Sequence, residues 1–199
     1  TMSQQLSEQE LVRRESLTRL RELGINPYPQ ALYPVTILSK AIKEKYEEGK
    51  KVVIAGRLMS RRIQGKASFA ELQDSEGRIQ VYFNRDEICT EDDSTLYNEV
   101  YKKLLDIGDF IGIEGELFKT QVGEISVRVK KFDLLSKSLK PLPLPKTDSE
   151  GKIHDAFTDA EMRYRQRYAD LVVNPHVKEV FIKRTKLFNA MRSFFNDRG

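Results

Sequence analysis

Between Lys51 and Leu135 apolar and polar residues alternate in short runs, punctuated by Gly65, Gly77 and Gly123. A period of two sends successive side chains to opposite faces, so each run reads as a strand with one buried face. The strand-like stretches are residues 51–63, 67–74, 77–83, 109–119 and 123–135. An acidic loop from Asp86 to Asp93 and a helical stretch over 96–105 separate the third from the fourth.

Three strands, a helix and two more strands are the order of a five-stranded OB-fold barrel, with a small SH3-like barrel as the competing arrangement. The expected class is mainly β with flanking α. An N-terminal helix runs from about Ser7 to Gly24, with Ser7 and Glu10 as a capping box and Gly24 placed to end it. Its outer face carries Arg13, Arg14, Arg19 and Arg21. After the barrel, Pro141, Pro143 and Pro145 alternate in a linker over 136–158 that favours extended polyproline geometry. Thr158 and Glu161 form a second capping box, opening a helix over 160–173; Asn174–Pro175 breaks it, and a last helix covers about 176–197. The expected division is a helical extension over 1–50, the barrel over 51–136, the linker over 137–158 and C-terminal helices over 159–199.

Composition excludes several classes. With 34 Lys and Arg against 30 Asp and Glu, the net charge is +4, so a nucleic-acid footprint has to be local. The single cysteine, Cys89, excludes an internal disulfide and argues against a cysteine-built metal site. No apolar run approaches the roughly 18 residues of a membrane span, and no signal-peptide pattern opens the chain, so a cytoplasmic protein without membrane contact is expected. Thr1 ahead of Met2 reads as a cloning remnant. His154 and His176 have no ligand-spaced partner, no phosphate-binding glycine loop is present, and no serine or cysteine sits in a nucleophile elbow; no catalytic or metal-binding residue is assigned.

Strand parity locates a candidate binding face. Ile79, Val81 and Phe83 face inward, leaving Arg78, Gln80 and Tyr82 outside; Ala70 and Leu72 face inward, leaving Phe69 and Glu71 outside; Ile125, Val127 and Val129 face inward, leaving Glu124, Ser126 and Arg128 outside. The outer surface of strands two and three, with the loops Arg61 to Lys66 and Lys119 to Gly123, is where OB folds take single-stranded nucleic acid. From Lys51 to Arg85 seven basic residues face three acidic ones, an excess as large as that of the whole chain. Phe69 has the chemistry to stack on a base, Gln80 and the arginines to bond its edge, and Glu124 to accept a bond from it, which suits a face that reads sequence. Other readings stand beside these: Phe69 covering an apolar patch under the N-terminal helix, Arg61 and Arg62 as a solvated pair on a strand too mixed to assign, and Gln80 as a cross-strand polar partner.

Several motifs extend the reading. The runs Ala55-Gly56-Arg57-Leu58-Met59-Ser60-Arg61-Arg62, Gly65-Lys66-Ala67-Ser68-Phe69, Leu72-Gln73-Asp74 and Gly77-Arg78-Ile79-Gln80, then Gly108 to Gly112, Phe118 to Gln121, Gly123-Glu124, Lys140 to Pro143 and Arg163 to Tyr168, resemble the anticodon-binding domain of bacterial-type class II lysyl-tRNA synthetases. The resemblance implies that Phe69 stacks on the central base of a uridine-rich anticodon while Arg62, Gln80 and Glu124 make or support hydrogen bonds. Arg61, Lys66 and Arg78, with the N-terminal helix arginines, would touch phosphates. It further implies a full-length homodimeric lysine–tRNA ligase that uses ATP and magnesium and binds the anticodon stem-loop of tRNA(Lys). The last helix resembles the start of the dimer-interface motif, and the ATP-binding motifs do not appear in this stretch, so no cofactor is expected here. The unfinished amphipathic helix is expected to pair with a second copy or to be disordered. The alternative is a free-standing OB-fold module binding single-stranded nucleic acid or a protein.

Overall fold

The computed structural model describes residues 6–90, 92–147, 153–154 and 157–199. The expectations for Thr1 and Met2, for part of the acidic loop, for much of the linker and for the His154 side chain lie outside these described residues. Two compact units, residues 1–141 and 142–199, are each described by themselves.

In the first unit five strands close into a ring: β1 (Lys51–Gln64), β2 (Ala67–Gln73), β3 (Arg78–Asn84), β4 (Phe110–Lys119) and β5 (Ile125–Ser136). Their spatial order is β1-β2-β3-β5-β4, with β4 returning to β1; β3 and β5 run parallel and every other pair antiparallel. This is the OB-fold arrangement, and it replaces the SH3-like alternative. Alternation fills the interior with Ala70, Leu72, Ile79, Val81, Phe83, Ile111, Ile113, Leu117, Val127 and Val129. Two glycines let chain segments approach closely: a Cβ on Gly112 would lie 2.3 Å from the Tyr33 ring, and one on Gly115 would lie 2.3 Å from the Arg128 carbonyl oxygen.

The helix between β3 and β4, Leu96–Leu104, has the wide i→i+5 winding of a π-helix. It buries Tyr97, Val100, Tyr101 and Leu104 in the barrel core, where the Tyr101 ring stacks on Phe83 at 4.1 Å. A short helix, α3 (Arg85–Ile88), occupies the start of the expected acidic loop; Asn84 caps it by accepting from the Asp86 amide.

Strand β1 contains the feature that sets the site. Leu58 pairs with Leu72 and Ser60 with Glu71, so Met59 is an extra residue, a β-bulge. Before it the even-numbered Val52, Ile54, Gly56 and Leu58 are buried; beyond it the even-numbered Ser60, Arg62 and Gln64 are exposed.

Helix α1 (Glu8–Glu22) is capped at both ends as its sequence predicts. Ser7 and Glu10 form a full capping box, and Gly24, at φ +76°, allows the Gly24 and Ile25 amides to donate to the Arg21 and Leu20 carbonyls. One expectation fails. Arg13 is buried, not on the outer face: its guanidinium donates to the Ser138 carbonyl at 3.1 Å and the Ile107 carbonyl at 2.9 Å. Nearby, the fully buried Lys137 ammonium binds Asp106 and Asp109, and Asp109 also accepts from the Ser138 and Asp106 amides. Helix α2 (Ser39–Glu44), which the sequence did not suggest, is tied to the β2–β3 turn by the Ser39 amide and hydroxyl donating to Asp74.

In the second unit a two-residue ladder, β6 (Lys146–Thr147) with β7 (Ile153–His154), interrupts the extended linker. The next helix is not continuous: α4 (Ala160–Arg165) and α5 (Arg167–Val173) meet at a non-helical Gln166. Asp159, not Thr158, is the cap, accepting from the Met162 amide. Buried Asp170 gathers Arg163, Arg167 and Asn174 and holds α5 to its flanks. Then α6 (Pro175–Asn196) starts at its proline, with Phe188, Met191, Phe194 and Phe195 exposed. Among the described residues no helix is long and apolar enough to cross a membrane.

Candidate nucleic-acid interface

The outer face of β2 and β3 carries Phe69, Glu71, Gln80 and Tyr82, all half-buried, above the apolar residues that alternate with them. Register sets their neighbours: Phe69 lies opposite Arg62 on β1 and Tyr82 on β3, and Gln80 lies between Glu71 and Ser126. The bulge at Met59 is what turns Arg62 outward, beside Phe69; without it Arg62 would share the parity of Leu58. Helix α1 packs against the π-helix, and the hollows beside Phe69 are lined by barrel residues and by Lys43 of α2.

Two hollows flank Phe69 and share Arg62, Phe69 and Gln80. The first, of about 510 Å³, adds Glu71, Arg78 and Glu124. The second, of about 520 Å³, adds Tyr82, Phe118, Lys119 and Arg128. The rings of Phe69 and Tyr82 lie 5.1 Å apart and tilted, Tyr82 and Phe118 meet edge-on at 6.0 Å, and the Arg128 guanidinium covers Phe118 at 5.0 Å. One hollow thus mixes a ring with carboxylates and donors, and the other is an aromatic step with cations at its edge. This suits planar, polar-edged groups on a phosphate chain.

The cations around the face differ in how free they are. Arg62 is exposed, and its guanidinium makes no hydrogen bond or ion pair to any described residue. Arg78 is held flat by Glu71 at 2.9 Å and Gln73 at 3.1 Å. Lys66 reaches Asp86 at 3.2 Å, and Lys66 and Arg85 together hold the Asp86 carboxyl below its ordinary range. Arg61 is directed elsewhere: its guanidinium donates to the Tyr101 and Lys102 carbonyls at the end of the π-helix and lies 5.3 Å from the Tyr101 ring.

The structure brings Arg61, Arg62, Phe69, Gln80, Glu124 and Arg78 to one hollow, with Lys66 on the adjacent turn; Arg61 lines the hollow while its guanidinium is bound to the helix carbonyls. Ser126 departs from expectation: its parity is outward, yet it is fully buried, donating from Oγ to Gln80 Oε1 at 2.8 Å. Tyr82 and Arg128 had outward parity but no assigned role, and Phe118 was not singled out. Their common signal is an aromatic or cation at an outward position next to Phe69, visible only once strand neighbours are known.

Residues 52–135 match the tRNA anticodon family, described as OB-fold nucleic acid binding domain. This part of the chain is similar to that family in sequence and has the OB-fold strand arrangement. The whole chain is 75% identical over 195 residues to the lysine–tRNA ligase of Christiangramia forsetii, a match covering 98% of this chain and 34% of that protein. It is 58% identical over 200 residues to the lysine–tRNA ligase of Porphyromonas gingivalis, with the same coverage, and 49% identical over 199 residues to that of Thermoanaerobacter pseudethanolicus, covering 99% of this chain and 37% of the relative. The chain spans about a third of the length of these curated relatives. The OB-fold domain and its flanking helices therefore align with one part of these relatives.

Proposed function

We propose that this face reads the anticodon of tRNA(Lys) and that the longer protein to which the chain corresponds ligates lysine to that tRNA. In this reading Phe69 stacks on the central uridine. Glu124 accepts from uracil N3–H, Gln80 donates to uracil O4, Arg62 supports the pair, and Lys66 and Arg78 touch phosphates. Cytosine offers the inverse edge, an acceptor at N3 and a donor at N4, so it leaves both groups unpaired. Arg61, already bound to the helix, contributes to the shape of the face more than to phosphate binding. The observation that carries the reading is the meeting of Arg62, Phe69, Gln80 and Glu124 at one hollow of base-sized chemistry. An amide and a carboxylate there favour base reading over indifferent strand binding, which needs only rings and cations.

For the longer protein the reading extends to activation of lysine with ATP and magnesium, a homodimer, and work in the cytoplasm. In it, residues 159–199 open the catalytic domain, and this stretch itself takes no cofactor. The experiment is fluorescence anisotropy with a labelled anticodon stem-loop carrying UUU, against the same loop with a central C, at two salt concentrations. The label goes on the RNA because the chain has no tryptophan. The expected result is at least about tenfold weaker binding of the C loop, roughly 1.4 kcal/mol, at both salts. Equal binding that fades with salt for both loops would reduce the face to an electrostatic platform and end the assignment.

A further inference from the structure

We propose that Ser126 is a positioning residue: its buried hydroxyl fixes the Gln80 side chain so that the NH2 group, not the carbonyl, is offered to the bound base. The proposal rests on the reading of Gln80 as a base contact and goes beyond it by naming what sets the polarity of that contact.

A primary amide is nearly symmetric in shape but opposite in chemistry across its two ends; rotated by half a turn, Gln80 would present an acceptor where it now presents donors. Something has to choose, and among the described residues the Gln80 side chain makes one hydrogen bond, from Ser126 Oγ to Oε1 at 2.8 Å. Ser126 is fully buried, so water does not compete for its proton. A hydroxyl has a single proton, and the other acceptor near it is the Glu124 carbonyl at 3.4 Å, long for an O–H···O bond. With the amide as it stands, the proton has a good acceptor. With the amide reversed, Nε2 would donate to Oγ, and the hydroxyl proton would be left with the distant carbonyl. Reversal thus leaves a buried donor poorly satisfied, which is unfavourable.

The two residues are held in register by the parallel β3–β5 ladder, where Gln80 pairs with Ser126. Donor polarity at Gln80 and acceptor polarity at Glu124, both lining the same hollow, together match a uracil edge and oppose a cytosine edge. A freely rotating amide would satisfy either base. Ser126 therefore acts on discrimination through Gln80, without touching RNA.

The test measures the preference for the UUU loop over the central-C loop in the 199-residue chain and in five variants. Ser126→Ala should lose at least threefold of that preference, chiefly through tighter binding of the central-C loop. Ser126→Thr and Ser126→Val are close in shape and differ in the hydroxyl; Thr should keep the preference and Val should lose it, which carries the test should the alanine variant not fold. In a Gln80→Ala background, adding Ser126→Ala should change nothing further. The proposal is overturned if the hydroxyl-free variants keep the wild-type preference, if they weaken both loops equally, or if Ser126→Ala costs as much without Gln80 as with it. A wild-type chain that shows no preference overturns the base-reading assignment itself, an outcome distinct from these because it appears before any substitution.

Discussion

Phe69 and the two neighbouring arginines, Arg61 and Arg62, show how far a single position carries function. Phe69 has Tyr82 at 5.1 Å and hollows on both sides. Phe69→Ala is expected to cost about 1–3 kcal/mol of RNA binding, roughly 5- to 150-fold in Kd by anisotropy, with little change in thermal stability because the ring is not in the core. Arg61 and Arg62 should separate cleanly. Arg62→Ala should narrow the base preference and, because it removes a free cation beside the strand, also flatten the plot of log K against log salt. Arg61→Ala should leave that slope alone and instead cost about 1–2 kcal/mol in urea unfolding, since it removes bonds to two helix carbonyls. Equal slopes for both variants would show that Arg61 also reaches RNA. At this scale alternation made Phe69, Gln80 and Glu124 legible in the sequence. Arg62 was not, because one extra residue at Met59 reverses the parity of everything after it; two adjacent apolar residues, Leu58 and Met59, were the only trace. Ser126 and Arg13 were misplaced for a related reason. Parity tells which way a side chain leaves the backbone, not what lies above it.

At the level of elements, strand order was readable because each run alternates and each turn has its glycine. Helix α2 escaped because it is six residues long with no side-chain cap hydrogen bond, so nothing marks its start. The break at Gln166 escaped because the sequence there keeps helical spacing; the chain bends so that Asp170 can collect Arg163 and Arg167. The segment before α2 offers a prediction. Tyr33 rests on Gly112 of β4, and its hydroxyl is buried with no hydrogen bond of good geometry among the described residues, although Asp133 lies near it. Burial, with Asp133 and Glu114 nearby, pushes its phenol up to about 12. A folded pKa above the ordinary 10 contributes stability that is full below about pH 10 and lost as pH rises through about 12. Tyr33→Phe should remove that alkaline loss. Because an unpaired buried hydroxyl is unfavourable, it should also raise stability at neutral pH by about 1 kcal/mol in urea unfolding. A loss of stability at neutral pH would mean the hydroxyl has a partner in solution.

Over the whole molecule, charge is better spent than its net value of +4 suggests. Arg78, Lys66 and Arg85 are in ion pairs and Arg61 is bound to backbone, so the described surface leaves Arg62 and Lys43 of α2 as the cations most available at the first hollow. Salt dependence of RNA binding should accordingly be shallow, with a slope of about two to three phosphate contacts and not the steep fall of a basic groove. Affinity then rests on ring and edge contacts, which salt does not screen. The buried Arg13 guanidinium has a last consequence. It donates from near the start of the chain to carbonyls at Ile107, just before β4, and Ser138, just after β5. Helix α1 is therefore a clasp across the ends of a hairpin more than ninety residues downstream, and trimming the chain past this helix would leave two sheltered carbonyls with nothing to bind. A truncated domain beginning at Asn26, which removes α1 and keeps α2, should fray at the base of β4 and β5, seen as faster amide exchange there, while the reading face keeps its protection.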